Sequence, residues 1–175
     1  MIDNMLNSVV KPTAITKNIA ILIPCTSNER HWSNFKETYL FNMTLKSFLL
    51  TYDQEHEYTF YIGIDRNDKI FDNKQNKQSF ARFLGIMKNT NIKFIYLDDA
   101  AKGHLTKMWN ILFETAYKDN NDYFFQCGDD IFFTTKGWVN DCIKTLVQHN
   151  DMGLVGPINN NMRLLTQCFV SKKHY

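Results

Sequence analysis

Read from its amino end, the chain alternates short apolar runs with longer stretches of helical periodicity. Ile19-Ala20-Ile21-Leu22-Ile23-Pro24 is an unbroken apolar run of strand length. A strand buried on both faces has this pattern, and such strands belong to parallel sheets. It ends in Thr26-Ser27-Asn28-Glu29, the spacing of a capping box with Thr26 as cap. Behind it, Trp32, Phe35, Tyr39, Leu40, Met43 and Leu50 recur near helical spacing and predict a helix to about Tyr52. Tyr58 to Ile64 reads as a second strand and Ile92 to Leu97 as a third. Between them the pattern predicts a polar loop over Phe71 to Gln78, then a helix marked by Phe80, Phe83, Leu84 and Met87. His104 to Tyr117 is predicted helical, Tyr123 to Cys127 is the fourth strand, and Trp138 to Val147 carries another helical stripe. Leu154-Val155 and Cys168-Phe169-Val170 are short strand candidates. The alternation predicts an α/β fold, a Rossmann-like, mostly parallel sheet with helices on both faces. Residues 1–18 are polar and aperiodic and read as an extended lead-in to a single domain over 19–175.

Composition narrows the class. With 14% aromatic residues, 7 Gly and 3 Pro, the chain is neither disordered nor collagenous. Twenty basic against eighteen acidic residues leave a formal charge of +2, with no basic stripe, so a nucleic-acid partner is not expected. Cys25, Cys127, Cys142 and Cys168 lack the close spacing of a zinc or redox motif and are expected to be reduced thiols. No apolar run approaches the ~20 residues that span a bilayer, and the first residues lack signal-peptide character. A protein that is not secreted is expected. Reduced thiols suit an intracellular compartment, so a cytoplasmic place is expected; the Asn, Lys, Ile and Phe content suits an AT-rich genome such as that of some large viruses or protists, so the cytoplasm of a host cell is expected as well.

In open α/β sheets, ligands bind beyond the carboxyl ends of the strands, where strand order reverses. Four loops qualify: Pro24 to Asn28; Asp65-Arg66-Asn67-Asp68; Asp98-Asp99 with Lys102-Gly103-His104; and Gly128-Asp129-Asp130. Three carry carboxylates and two carry basic groups, which suits a ligand with phosphates, hydroxyls and a hard cation. Asp129-Asp130 follow an apolar strand directly, so two carboxylates emerge from the core side by side, and a divalent cation would relieve their repulsion. Asp65 can accept from a base or ribose or simply form a turn. Arg30 and Lys102 can meet phosphates, and Thr26 can cap a helix and face a ligand at once. Lys107, His104, His31 and His56 read as surface residues, and Trp32, Trp109 and Trp138 as core.

In these motifs the chain resembles the nucleotide-sugar half of GT-A fold glycosyltransferases of the family 2 type. Ile21 to Arg30 resembles that family's first strand and turn, which embraces the nucleoside. Tyr61-Ile62-Gly63-Ile64-Asp65 resembles the second strand with its terminal acid, and Lys102 to Asn110 the helix before the metal strand. Phe124 to Ile131 resembles the strand that carries a DxD-type motif, with Gly128 where the first acid of an EDD variant stands. The resemblance implies a domain whose 19–131 part binds a UDP- or GDP-type sugar donor, with 132–175 opening the acceptor side. The last residues resemble a strand leading into that half, which suggests a shortened domain.

It implies Mn²⁺ or Mg²⁺ on Asp130, with Asp129 in the metal shell or on the ribose. Pro24, Thr26, Ser27, Arg30, Asp65, Lys102 and Asp129 would then line the donor site. The implied reaction is sugar transfer to an acceptor hydroxyl, with acceptor and catalytic base unassigned. The alternative is a donor-binding module without transfer. A sugar nucleotidyltransferase on a related fold is a third and weaker reading, because such enzymes usually carry a Gly-rich basic loop after the first strand and Cys25-Thr26-Ser27-Asn28 is not Gly-rich. A dinucleotide-binding domain fails for the same reason, since no GxGxxG follows the strand.

Overall fold

A computed structural model describes residues 15–97, 101, 103–157 and 165–174. Asp98, Asp99 and Lys102, which belong to the third candidate loop, lie outside the described residues, as does the lead-in up to residue 14. Five strands form one sheet: β1 (Asn18–Cys25), β2 (Glu57–Ile64), β3 (Thr90–Tyr96), β4 (Tyr123–Gln126) and β5 (Cys168–Ser171). Their order is β3-β2-β1-β4-β5. The pairs β1–β2, β1–β4 and β2–β3 are parallel, and β5 runs antiparallel to β4. The fold is Rossmann-like α/β.

The apolar run in β1 is explained by its central place. Ile19, Ile21 and Ile23 point to one face and Ala20 and Leu22 to the other, and all five are fully buried. The first face packs on α1 (Lys46–Thr51), α2 (Lys74–Leu84) and α4 (Trp138–Gln148) through Phe48, Phe80, Leu84, Val139 and Leu146. The second packs on α3 (Leu105–Lys118) through Leu112 and Ala116. Gly63 of β2 is a close-approach site on the second face. A Cβ there would sit 3.2 Å from both Leu97 methyls and 3.3 Å from a Leu112 methyl. Gly63→Ala is therefore expected to destabilise by about 1 kcal/mol through overpacking, read as a lower thermal midpoint.

Three expectations are corrected. The helix predicted behind Thr26 begins later: a 3-10 turn covers Phe35–Glu37, a π-helical stretch Leu40–Leu45, and only Lys46–Thr51 is α-helical. Thr26 caps no helix. Its hydroxyl accepts from the amide of Asn28 (3.2 Å), while Glu29 takes a left-handed φ of 62° that ends any helical start. The loop predicted over Phe71 to Gln78 contains the first turn of α2, because the Asn73 side chain accepts from the amides of Gln75 and Asn76 and caps the helix. His56 is a core residue, only 2% exposed. Its Nδ1 accepts from the Lys17 amide (3.3 Å), so the Nε2 proton faces the Asn140 side-chain oxygen (3.1 Å).

The four cysteines are free thiols. Burial pushes those of Cys25 and Cys127 well up, which leaves them unreactive at neutral pH. Among the described residues no helix is long and apolar enough to cross a membrane.

Candidate functional site at the strand-order reversal

The chain proceeds outward from β1 to β2 and β3, then returns to the other side of β1 for β4. The reversal opens a crevice beyond the carboxyl ends of β1 and β4, where this class of sheet holds ligands. A cleft of about 430 Å³ lies there. Pro24 lines it from the end of β1, Thr26, Asn28 and Arg30 from the loop that follows, Asp65 from that after β2, and Asp129 from that after β4. Leu97, Leu105 and Met108 supply apolar wall from the end of β3 and the first turns of α3.

The loop after β1 owes its shape to a carboxylate outside the cleft. Asp68 is 5% exposed and accepts from the Ser27 amide and the Ser27 hydroxyl, both at 2.7 Å. It also accepts from the amides of Ile70 (2.9 Å) and Phe71 (2.8 Å). The two loops that it joins are matched turns. Arg30 N–H donates to the Ser27 carbonyl at 3.1 Å, and Asp68 N–H to the Asp65 carbonyl at 3.3 Å. The third residue of each, Glu29 and Asn67, has a φ of 62°. Asn tolerates that conformation, whereas a Glu there is strained by about 1 kcal/mol or more. Ser27 is thereby accounted for: it is 1% exposed, bound to Asp68, and not part of the cleft lining. Thr26 and Asn28 instead face Asp65, at 3.5 and 3.4 Å from its Oδ2.

The acidic loop after β4 is held from below. The Thr44 hydroxyl lies 2.8 Å from the Asp129 carbonyl and 3.2 Å from that of Ile131. The Phe133 amide donates to the Ser47 hydroxyl at 2.9 Å. Both hydroxyls come from the π-helical stretch and α1, and both side chains are inaccessible to solvent. Thr44→Val is expected to lower stability by about 1–2 kcal/mol, because two carbonyls lose their donor. A melt checks this, and a Ser substitution should restore most of the loss.

Asp129 is the carboxylate that meets the cleft. Burial first, and the neighbouring Asp130 second, push its pKa up to about 6, while Arg30 pulls the other way. Asp130 is exposed and outside the lining, its Oδ1 folded against Gly128, where a Cβ would come within 2.7 Å. A side chain at position 128 would therefore swing the Asp130 carboxylate away. Among the described residues no three His, Cys, Asp or Glu side chains gather to enclose an ion. A hard divalent cation shared with substrate phosphates needs only one or two carboxylates. A half-buried carboxylate with an acidic neighbour fits that requirement, and a protein-only metal cage does not.

Sequence inspection placed Pro24, Thr26, Arg30, Asp65 and Asp129 at strand ends, and these five share the cleft. It placed Asp68 in a candidate loop without a role and passed over Thr44 and Ser47; all three lie outside the cleft lining but hold it in place. A carboxylate just before the apolar pair Ile70-Phe71, both 2% exposed or less, was the available signal for Asp68.

No protein-family model matches the sequence, and no curated protein matches it. Among solved structures, the chain is similar to a 4-diphosphocytidyl-2C-methyl-D-erythritol synthase from Anaerococcus prevotii DSM 20548. The two are 13% identical, the match covers 90% of this chain and 72% of that one, and the TM-score is 0.48.

Proposed function

We propose that the cleft binds a nucleoside-diphosphate sugar, of the UDP or GDP type, and that the protein is a glycosyltransferase acting on an acceptor hydroxyl. The observation that supports this best is the convergence of Asp65, Arg30 and Asp129 from three separate strand ends on one cleft. Asp65, with Thr26 and Asn28 beside it, offers acceptor and donor groups to a base or ribose. Arg30 offers a cation to the diphosphate, and Leu97, Leu105 and Met108 offer an apolar wall.

Asp129, joined by Asp130 once its side chain turns from Gly128, would hold a Mg²⁺ or Mn²⁺ together with the phosphates. That ion would neutralise charge on the departing nucleotide as a Lewis acid. The protein's own part is to fix the donor, keep a carboxylate at the phosphate end of the cleft and exclude water with the apolar wall. Gly128, in place of a first acid, favours a second reading, a donor-binding module without transfer.

Calorimetric titration of UDP and GDP, with and without Mn²⁺, tests the proposal. Binding of one of them, strengthened by Mn²⁺ and weakened at least tenfold in Asp129→Asn, is the expected result. No binding of either in any condition would overturn it. Binding with no donor turnover, hydrolytic or to hydroxyl acceptors, would favour the module.

A further inference from the structure

Arg30 is held in an unusual way for an exposed arginine. Its guanidinium carbon lies 5.6 Å from the centroid of the Trp32 ring and 5.1 Å from that of Tyr39. These two rings meet edge to face, with centroids 5.1 Å apart and planes at 84°, so the guanidinium stands in the corner that they form. The backbone beneath is fixed as well. The Arg30 amide donates to the Ser27 carbonyl, and the Lys69 ammonium donates to the Arg30 carbonyl at 2.6 Å. Among the described residues, the guanidinium itself donates no hydrogen bond and joins no ion pair. Its five N–H donors therefore have no protein partner among the described residues, and Arg30 lines the same cleft as Asp129.

We propose that Trp32 and Tyr39 are positioning residues that set Arg30 as the fixed cation for the ligand's diphosphate. The inference rests on the reading of the cleft as a donor site and adds to it two aromatic residues outside the cleft lining. Arginine suits the role because a planar guanidinium stacks on aromatic faces while its edge stays open to bidentate phosphate contact. Lysine offers a point charge and no such plane. An arginine already ordered loses less side-chain freedom when the anion arrives. The corner should therefore act on affinity for phosphate-bearing ligands through Arg30 alone.

The test uses the whole chain, in EDTA at low salt, with inorganic pyrophosphate as the first probe and UDP and GDP as the second. Tyr39→Leu is expected to weaken pyrophosphate binding about three- to fivefold, the size of a surface cation–π contact. Tyr39→Phe should restore affinity to within about twofold, since the phenyl face keeps that contact. Arg30→Lys should bind no better than Tyr39→Leu. In an Arg30→Ala background, Tyr39→Leu should have no further effect, because the contact it removes is already gone.

Trp32→Leu, which removes the other aromatic face, provides a second variant whose loss should likewise vanish in that background. Equal losses in both backgrounds, or none in either, would overturn the proposal. The outcomes also separate it from the donor reading. If pyrophosphate binds through Arg30 but neither nucleotide does, in EDTA or with Mn²⁺ added, the corner stands and the donor reading falls. If a nucleotide binds with an affinity indifferent to Arg30→Ala, the reverse holds. If neither probe binds in EDTA or with Mn²⁺, both fall.

Discussion

Asp68→Ala is expected to lower stability by about 3–5 kcal/mol and to abolish ligand binding in the cleft, although Asp68 touches no part of it. The substitution removes one carboxylate and leaves the Ser27 amide and hydroxyl and the Ile70 and Phe71 amides without their acceptor. Each orphaned buried donor costs about 1 kcal/mol or more. For a chain of this length the thermal midpoint should fall by roughly 8–15 °C. Binding suffers for a different reason. Once Ser27 is released, nothing forces Glu29 into its left-handed conformation, and the turn that carries Arg30 relaxes.

Asp68→Asn should be milder, because one oxygen remains for the Ile70 and Phe71 amides while the Ser27 amide loses its partner. Thermal melts of both variants, with calorimetry on the milder one, check the pair. An Asp68→Ala midpoint within about 3 °C of the parent would show that the clasp contributes little.

Asp129→Asn should do the opposite, stabilising the metal-free protein while removing its response to Mn²⁺. A carboxyl with pKa raised to about 6 binds its proton more tightly in the folded state than in the unfolded chain, where its pKa is about 3.9. Between those two values the folded state holds more protons, so its stability falls as pH rises. Above about pH 6 the full penalty of a charged, half-buried Asp129 is present; below about pH 4 it is gone. Removing the charge should therefore gain about 2 kcal/mol at pH 7.5, a rise of about 4–8 °C, and almost nothing at pH 4. Melts across this range decide it, and a gain that is the same at both ends would refute the account.

The strands were legible in the sequence because a strand buried on both faces leaves an unbroken apolar run, and β1, β2 and β4 are of that kind. The candidate site was legible to the extent that strand ends reveal it. Pro24, Thr26, Arg30, Asp65 and Asp129 follow directly from where the apolar runs stop. The segment after β1 was misread for a definite reason. Thr26-Ser27-Asn28-Glu29 has the spacing of a capping box, but the Ser27 amide is claimed by Asp68, forty-one residues on.

A local pattern loses to such a distant partner when the partner is buried and charged. Trp32 and Tyr39 fit a helical stripe in sequence, yet they form a corner around Arg30 on a stretch that is not one continuous helix. His56 offered no signal at all. Its partners, Lys17 and Asn140, meet it only through the packing of α4 against the start of the sheet.

The reversed direction of β5 has a consequence for handling the molecule. Ser171 pairs with Tyr123 at the start of β4, and the Lys172 amide donates to the Asp122 carbonyl. The Asp122 amide donates in turn to the Asn18 carbonyl, where β1 begins. The described segments at either end of the chain thus leave the sheet side by side, at the pole opposite the cleft. A tether, fluorophore or immobilising tag joined there would leave the cleft facing free solution. Surface-based binding measurements with the protein held through a described residue at that pole should therefore return the same affinities as measurements on the untethered chain.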